Sequence, residues 1–152
     1  MKLSECLTEN AVVVQMSARD KREILAGLVN LIEQTDGLMD TKSLLDEIMQ
    51  REELGSTGIG KGVAIPHVHL EEIAEMHVAM MTTARGVDYG AIDDQPCRIF
   101  IMVAAPDRDR ENYLHLLAEV SRLFRHDEVR ESVLKAETPA ALLEALRSAE
   151  GA

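Results

Sequence analysis

Hydrophobic positions along the chain change spacing several times, and each change predicts the end of one element and the start of another. Ala11 to Met16, AVVVQM, is a β-branched run of the kind that forms a short buried strand. Ser17 is placed to cap the helix that follows, in which Arg19 to Gln34 sets Ile24, Leu25, Leu28, Leu31 and Ile32 on one stripe before Thr35-Asp36-Gly37 breaks it. Thr41 to Glu53 repeats the helical spacing with Leu44, Leu45, Ile48 and Met49 and stops at Gly55. Val63-Ala64-Ile65 reads as a buried strand closed by Pro66, because proline has no N–H to give the ladder. An acidic surface turn at Glu71-Glu72 precedes a strand from about His77 to Thr83, and Gly86 to Asp94 is rich in turn residues. Arg98 to Ala105, RIFIMVAA, is apolar enough to predict a strand covered on both faces. A helix from Asp109 or Glu111 then turns Leu114, Leu117, Ala118, Ser121 and Leu123 or Phe124 to the core. Two more follow, from about Asp127 to Lys135 and from Pro139 to Ser148, the last started by Thr138-Pro139. The alternation implies an α/β fold in one domain, residues 1–152: a sandwich whose mixed β-sheet is flanked by helices on both faces.

Composition narrows the function. Hydrophobic residues make up 46% of the 152, enough to enclose a single core. Sixteen Lys and Arg stand against 27 Asp and Glu, a net charge of −11, with no basic run to hold a phosphate backbone. Aromatic residues are 3% of the chain, too few for a base-stacking platform, so nucleic acid is not an expected partner. No segment approaches the roughly 18 apolar residues of a membrane span, and MKLSECLTEN has no apolar signal core. A cytoplasmic protein without membrane insertion is expected, with Cys6 and Cys97, which form no C-x-x-C pair, as reduced thiols.

The densest chemistry lies between Arg51 and His69, REELGSTGIGKGVAIPHVH. Gly55, Gly58, Gly60 and Gly62 give a loop able to wrap a ligand; Ser56 and Thr57 bring hydroxyls, and Arg51 and Lys61 bring cations. The segment is not a Walker loop, because Gly60-Lys61 is followed by Gly62 rather than a hydroxyl residue. It is not a dinucleotide fingerprint either, because its glycines lie between a helix and a strand. Two readings stay open from spacing alone: His67 as a phosphoryl acceptor beside oxyanion donors, and a structural turn whose histidine is merely hydrogen-bonded. Unaided, Arg51 reads as a cation complementing a helix C-terminus and His115 as a residue at the border of an apolar stripe. His67 and His69 form an H-x-H pair facing one side of an extended chain, a metal pattern without an identifiable third ligand, so neither a metal nor a cofactor is expected. His77 and His126 read as surface residues.

RE-x-LGSTGIG-x-GVAIPH resembles the active-site signature of the enzyme IIA domain, mannitol/fructose class (type 2, including its nitrogen-related branch), of the bacterial phosphoenolpyruvate:sugar phosphotransferase system. The resemblance runs from about Leu3 to Leu146 and includes Ala91-Ile92-Asp93-Asp94-Gln95-Pro96 and Tyr113-Leu114-His115-Leu116-Leu117. It implies a phosphotransferase in which His67 takes a phosphoryl group from a phosphohistidine on an HPr-type carrier. His115 is then the second active-site histidine, and Arg51, Ser56 and Thr57 stabilise the phosphoryl oxygens. Nε2 is the bonding atom that the resemblance implies. Val68 stands where many members have glycine, and its side chain is expected on the contact face with partners. The group then goes to a IIB subunit of a sugar transporter, or it governs binding to a regulatory target protein. No fused downstream domain follows in the sequence, so the expectation favours the nitrogen-related regulator.

Overall fold

The computed structural model describes residues 1–36, 41–71 and 73–151. Within them lie six strands, β1 (Val12–Met16), β2 (Gly58–Gly60), β3 (Val63–Ala64), β4 (His67–Leu70), β5 (His77–Val87) and β6 (Cys97–Pro106). The five α-helices are α1 (Lys21–Asp36), α2 (Thr41–Leu54), α3 (Arg110–Phe124), α4 (Asp127–Lys135) and α5 (Pro139–Glu150). The sheet order is β1-β5-β6-β3-β2, with β4 also paired to β6. β1 runs parallel to β5, β5 antiparallel to β6, and β3 and β4 both parallel to β6, so the sheet is mixed as the alternation of elements predicts.

The period of two along the central strands divides the interior into two cores. Val78 and Met80 of β5 and Ile99, Ile101 and Val103 of β6 point to one face, where Leu116, Val120 and Leu123 of α3, Val133 of α4 and Leu142, Leu143 and Leu146 of α5 cover them. The intervening Ala79, Met81, Phe100, Met102 and Ala104 meet Ile24, Leu25, Leu28 and Ile32 of α1 and Leu44 and Ile48 of α2 on the other face. The stripes read from α1 and α2 are thus the buried ones, and RIFIMVAA is covered on both sides.

Several local expectations are corrected. Ser17 is not the cap of α1: the helix starts at Lys21, and the carboxylate of Asp20 accepts the Glu23 N–H at 2.9 Å. Pro66 does not end the edge strand for good. β3 stops at Ala64, but the Pro66 carbonyl accepts the Val103 N–H at 2.9 Å and the ladder resumes as β4, His67 opposite Val103. β5 continues through Arg85 to Val87, four residues past the predicted end, with a register shift between Thr82 and Val87. His77 is buried and not a surface residue, whereas His126 is exposed just before α4. In α3 the buried stripe is Tyr113, Leu116, Val120, Leu123 and Phe124, while Leu114, Ala118 and Ser121 are exposed. Leu123 and Phe124 are buried as expected and Leu117 packs against the core, but the first turns are out of phase, because Tyr113 and not Leu114 points inward. The expected break at Gly37 and the Glu72 half of the acidic turn lie outside the described residues.

Candidate functional site

His67 is the first residue of β4, and Val68 next to it turns the opposite way, 8% exposed in the core under α1 and α2. Val68 is therefore a packing residue rather than an apolar contribution to an outer contact face. It borders a shallow recess with Glu47, Gln50, Arg51 and Leu54, of which Leu54 is the exposed apolar member at 86%. His67 and His69 share the other face of the strand, half-buried, with the ring of Tyr113 from α3 against both.

The His67 ring is oriented by its own backbone neighbourhood. Nδ1 lies 2.7 Å from the Ile65 carbonyl oxygen. A carbonyl only accepts, so Nδ1 carries the proton and the lone pair of the neutral ring resides on Nε2. Burial holds the imidazole below its ordinary value of 6.5. The Ile65 carbonyl and the Glu52 carboxylate act in the opposite sense, and Arg51 and His69 add to the lowering. At neutral pH the ring is uncharged.

Arg51 sits in the last turn of α2, half-buried, with Nη1 donating to the Gly55 carbonyl at 2.9 Å. Its charge acts on both His67 and Tyr113. The backbone N–H of Lys61 donates to Asp93 Oδ2 at 2.9 Å at the turn of the β2–β3 hairpin.

The glycine segment is that hairpin rather than an open wrapping loop. Gly60 and Gly62, with φ of 98° and 80°, flank Lys61 at φ 58°, a run of left-handed conformations that glycine adopts without cost. Gly58 packs flat on the Ala91 backbone, where an added Cβ would meet Ala91 Cα at 2.8 Å. The Ala91–Pro96 turn is thereby fastened to the hairpin, with Ile92 N–H donating to the Gly58 carbonyl at 3.1 Å.

Ser56 and Thr57 hold this hairpin in place. Ser56 Oγ donates to the Tyr89 carbonyl at 3.0 Å and accepts the Gly58 N–H at 3.1 Å. Thr57, 5% exposed, gives its hydroxyl proton to the carboxylate of Glu52 and so accepts from the Tyr89 hydroxyl 3.1 Å away. Glu52 takes the Thr57 N–H at 3.1 Å and the Lys21 ammonium at 2.8 Å, and Lys21 stands 4.3 Å above the Tyr89 ring. Burial first, and then Glu52, push the Tyr89 phenol far above its ordinary range, so it stays a proton donor. In these positions both hydroxyls are committed to protein partners. Glu52, Lys21 and Tyr89 went unnoticed in the sequence because each reads as an ordinary helix-surface charge or a turn aromatic.

His115 lies on α3 two residues beyond Tyr113, about 200° further round the helix axis, and is exposed. The structure brings Tyr113, and not His115, into contact with His67. Nor does it supply the H-x-H pair with a third ligand: among the described residues no three His, Cys, Asp or Glu side chains gather as a metal requires. No helix among them is long and apolar enough to cross a membrane.

Comparison with known proteins places nearly the whole chain in a family. Residues 5–149 match the family described as phosphoenolpyruvate-dependent sugar phosphotransferase system, EIIA 2. A PTS system fructose-specific EIIA component from Haloferax volcanii is 33% identical over 111 residues, 73% of this chain and 72% of that protein. A fructose-specific EIIABC component from Bacillus subtilis is 30% identical over 95% of this chain, which spans only 23% of that relative's length. A nitrogen regulatory protein from Pseudomonas aeruginosa is 28% identical over 93% of this chain and 92% of its own. Among solved structures, the nitrogen regulatory protein IIA-Ntr from Neisseria meningitidis superposes with a TM-score of 0.88 at 24% identity, covering 95% of this chain and 98% of that one. By its matched length, its motif and its fold, this chain belongs to the EIIA type 2 family of the phosphoenolpyruvate-dependent sugar phosphotransferase system.

Proposed function

We propose that the chain is a phosphocarrier that accepts a phosphoryl group on Nε2 of His67 from an HPr-type phosphohistidine. The hydrogen bond between His67 Nδ1 and the Ile65 carbonyl carries this reading, because it leaves one nitrogen with a free lone pair and fixes the direction in which it points. In the exchange, Nε2 attacks phosphorus in line, a new N–P bond forms as the donor's N–P bond breaks, and the electron pair leaves with the donor's imidazole. No general base is needed, since Nδ1 keeps its proton throughout. The positive charge that develops on the His67 ring is eased by the Ile65 carbonyl and by the Glu52 carboxylate, both of which favour the charged ring. Arg51 supplies cationic stabilisation to the phosphoryl oxygens. Ser56 and Thr57 contribute at one remove, by fixing the hairpin beside the nucleophile.

The phosphoryl group then serves one of two ends. Similarity to the Pseudomonas nitrogen regulatory protein, which extends over nearly the full length of both chains, supports a regulator whose partner binding depends on phosphorylation. Similarity to the Haloferax fructose-specific component supports onward transfer to a IIB subunit, and a solved neighbour is described as a complex of enzyme IIAMTL with phosphorylated enzyme IIBMTL. Incubation with phosphoenolpyruvate, the first enzyme of the system and an HPr-type protein should give an acid-labile, base-stable adduct on His67. Stoichiometric labelling of His67→Ala would overturn the assignment. Equal affinity of both forms for every partner, with rapid transfer to a IIB subunit, would reject the regulator and leave the carrier.

A further inference from the structure

Tyr113 is buried at 6% exposure in the first turn of α3, and its ring serves two histidines at once. Its centroid is 5.4 Å from that of His67 with the planes tilted by 49°, and 4.2 Å from that of His69 in an edge-on arrangement at 75°. The ring is packed, but the oxygen at its tip is not sealed in. The polar atoms that are enclosed without a partner are His69 Nδ1 and Glu150 Oε1, and no hydrogen bond from the Tyr113 hydroxyl is present among the described residues. The hydroxyl therefore reaches solvent. Two guanidinium groups act on it: Arg51, which also acts on His67, and Arg110 at the start of α3. Burial outweighs both and pushes the phenol up to about 12, so the O–H retains its proton at neutral pH.

We propose that Tyr113 is the uncharged hydrogen-bond donor that, together with Arg51, holds the phosphoryl oxygens on His67, the part that the sequence resemblance gave to His115. The proposal rests on the reading of His67 as the acceptor. Its logic is chemical as well as positional. The incoming group is anionic, and the hydroxyl is a donor without a protein partner among the described residues, carried on a ring packed against the accepting histidine and acted on by the charge of Arg51; a phosphoryl oxygen answers to each. His115 cannot be turned to the same point by a rotamer change, because a helix sets positions two apart on nearly opposite sides. Leu114 between them is itself 59% exposed, which marks the outward side of α3.

The test is single-turnover phosphoryl transfer from a phosphorylated HPr-type protein to wild type and to Tyr113→Phe, with the donor concentration varied so that the maximal rate and the half-saturating concentration separate. The phenylalanine keeps the ring and removes only the hydroxyl. The expected result is a maximal rate lower by at least about tenfold, a half-saturating concentration within about twofold, and an unchanged thermal midpoint. A Tyr113→Phe protein that matches wild type, or that differs only in half-saturation, overturns the inference. If wild type itself accepts no phosphoryl group on His67, the carrier reading fails and takes this inference with it. An independent measurement needs no variant. The chain has two tyrosines, so in protein labelled at tyrosine Cζ the Tyr113 resonance should move on phosphorylation while that of the buried Tyr89 stays. An unmoved Tyr113 signal in phosphorylated protein overturns the proposal.

Discussion

Replacing Lys21 by methionine isolates the electrostatic member of the scaffold under the hairpin. Lys21 and Glu52 form an ion pair at 2.8 Å whose side chains are 26% and 3% exposed, so the two partners differ in their access to water. Loss of the ammonium leaves the carboxylate sealed in, with only Thr57 to balance it through its N–H and hydroxyl. Removing one partner of a fully buried pair costs about 3–5 kcal/mol; discounted for the quarter-exposed lysine and the two remaining hydrogen bonds, Lys21→Met should cost about 2–3 kcal/mol. In a chain of this size that is a fall in thermal midpoint of roughly 4–12 °C. Glu52→Gln should cost less, about 1–2 kcal/mol, because an amide still accepts from Thr57 and the freed ammonium turns to water. The double variant should be more stable than the sum of the two losses predicts, by at least about 1 kcal/mol, since the pair is then removed together. Urea titration of all four proteins at one pH measures each quantity. A Lys21→Met loss below about 0.5 kcal/mol, or strict additivity in the double variant, would refute the claim that the Lys21 ammonium compensates the buried Glu52 carboxylate.

The remaining expectations are simpler to state. Nuclear magnetic resonance titration should place the His67 imidazole below 6.5, so transfer rates should hold as pH falls through 6.5 and decline only at lower pH. By the same linkage, the stability that neutral His67 contributes is fully present above about 6.5 and is lost as pH falls through the lower folded-state value, because the unfolded chain takes the proton first. Arg51→Ala should keep the fold by circular dichroism and slow transfer by tens to hundreds of fold, the equivalent of about 2–4 kcal/mol; a wild-type rate would remove Arg51 from the site. His115→Ala, assayed beside Tyr113→Phe, should be the milder of the two. Gly58→Ala drives a methyl into Ala91 and should destabilise by about 1–3 kcal/mol in chemical denaturation.

What the sequence revealed and what it concealed follow from how each residue signals its surroundings. The stripes of α1 and α2 and the uninterrupted strand β6 were legible because burial of many aliphatic side chains at a regular spacing has only one structural solution. His67 and Arg51 stand out in the sequence through a motif alone. The phase of α3 was not, since three leucines at 114, 116 and 117 fit more than one stripe and only Tyr113, which counts weakly as apolar, selects the true one. β4 was hidden because HVHL has two polar positions and follows a proline, though alternation over four residues is the period of a half-buried strand. Glu52 was hidden for another reason. Nothing in the spelling of a helix separates a carboxylate in water from one that gathers an ammonium, an amide and a hydroxyl across three segments of chain. Ser56 and Thr57 read as hydroxyls for an oxyanion, whereas in the structure both are hydrogen-bonded to protein groups of the scaffold.

The register of β4 has a consequence for how this chain tolerates change. Along those four residues chemistry and packing alternate: His67 and His69 look toward α3 while Val68 fills the core beneath α1 and α2. A point substitution there alters one side or the other. Insertion or deletion of one residue between Ala64 and His67 instead exchanges the two, sending imidazoles into an aliphatic interior and valine to the place of His67. Relatives of this chain should therefore keep the length of this short connection, and a functional protein with a one-residue indel here would have to carry a compensating shift in β6, against which the strand is measured.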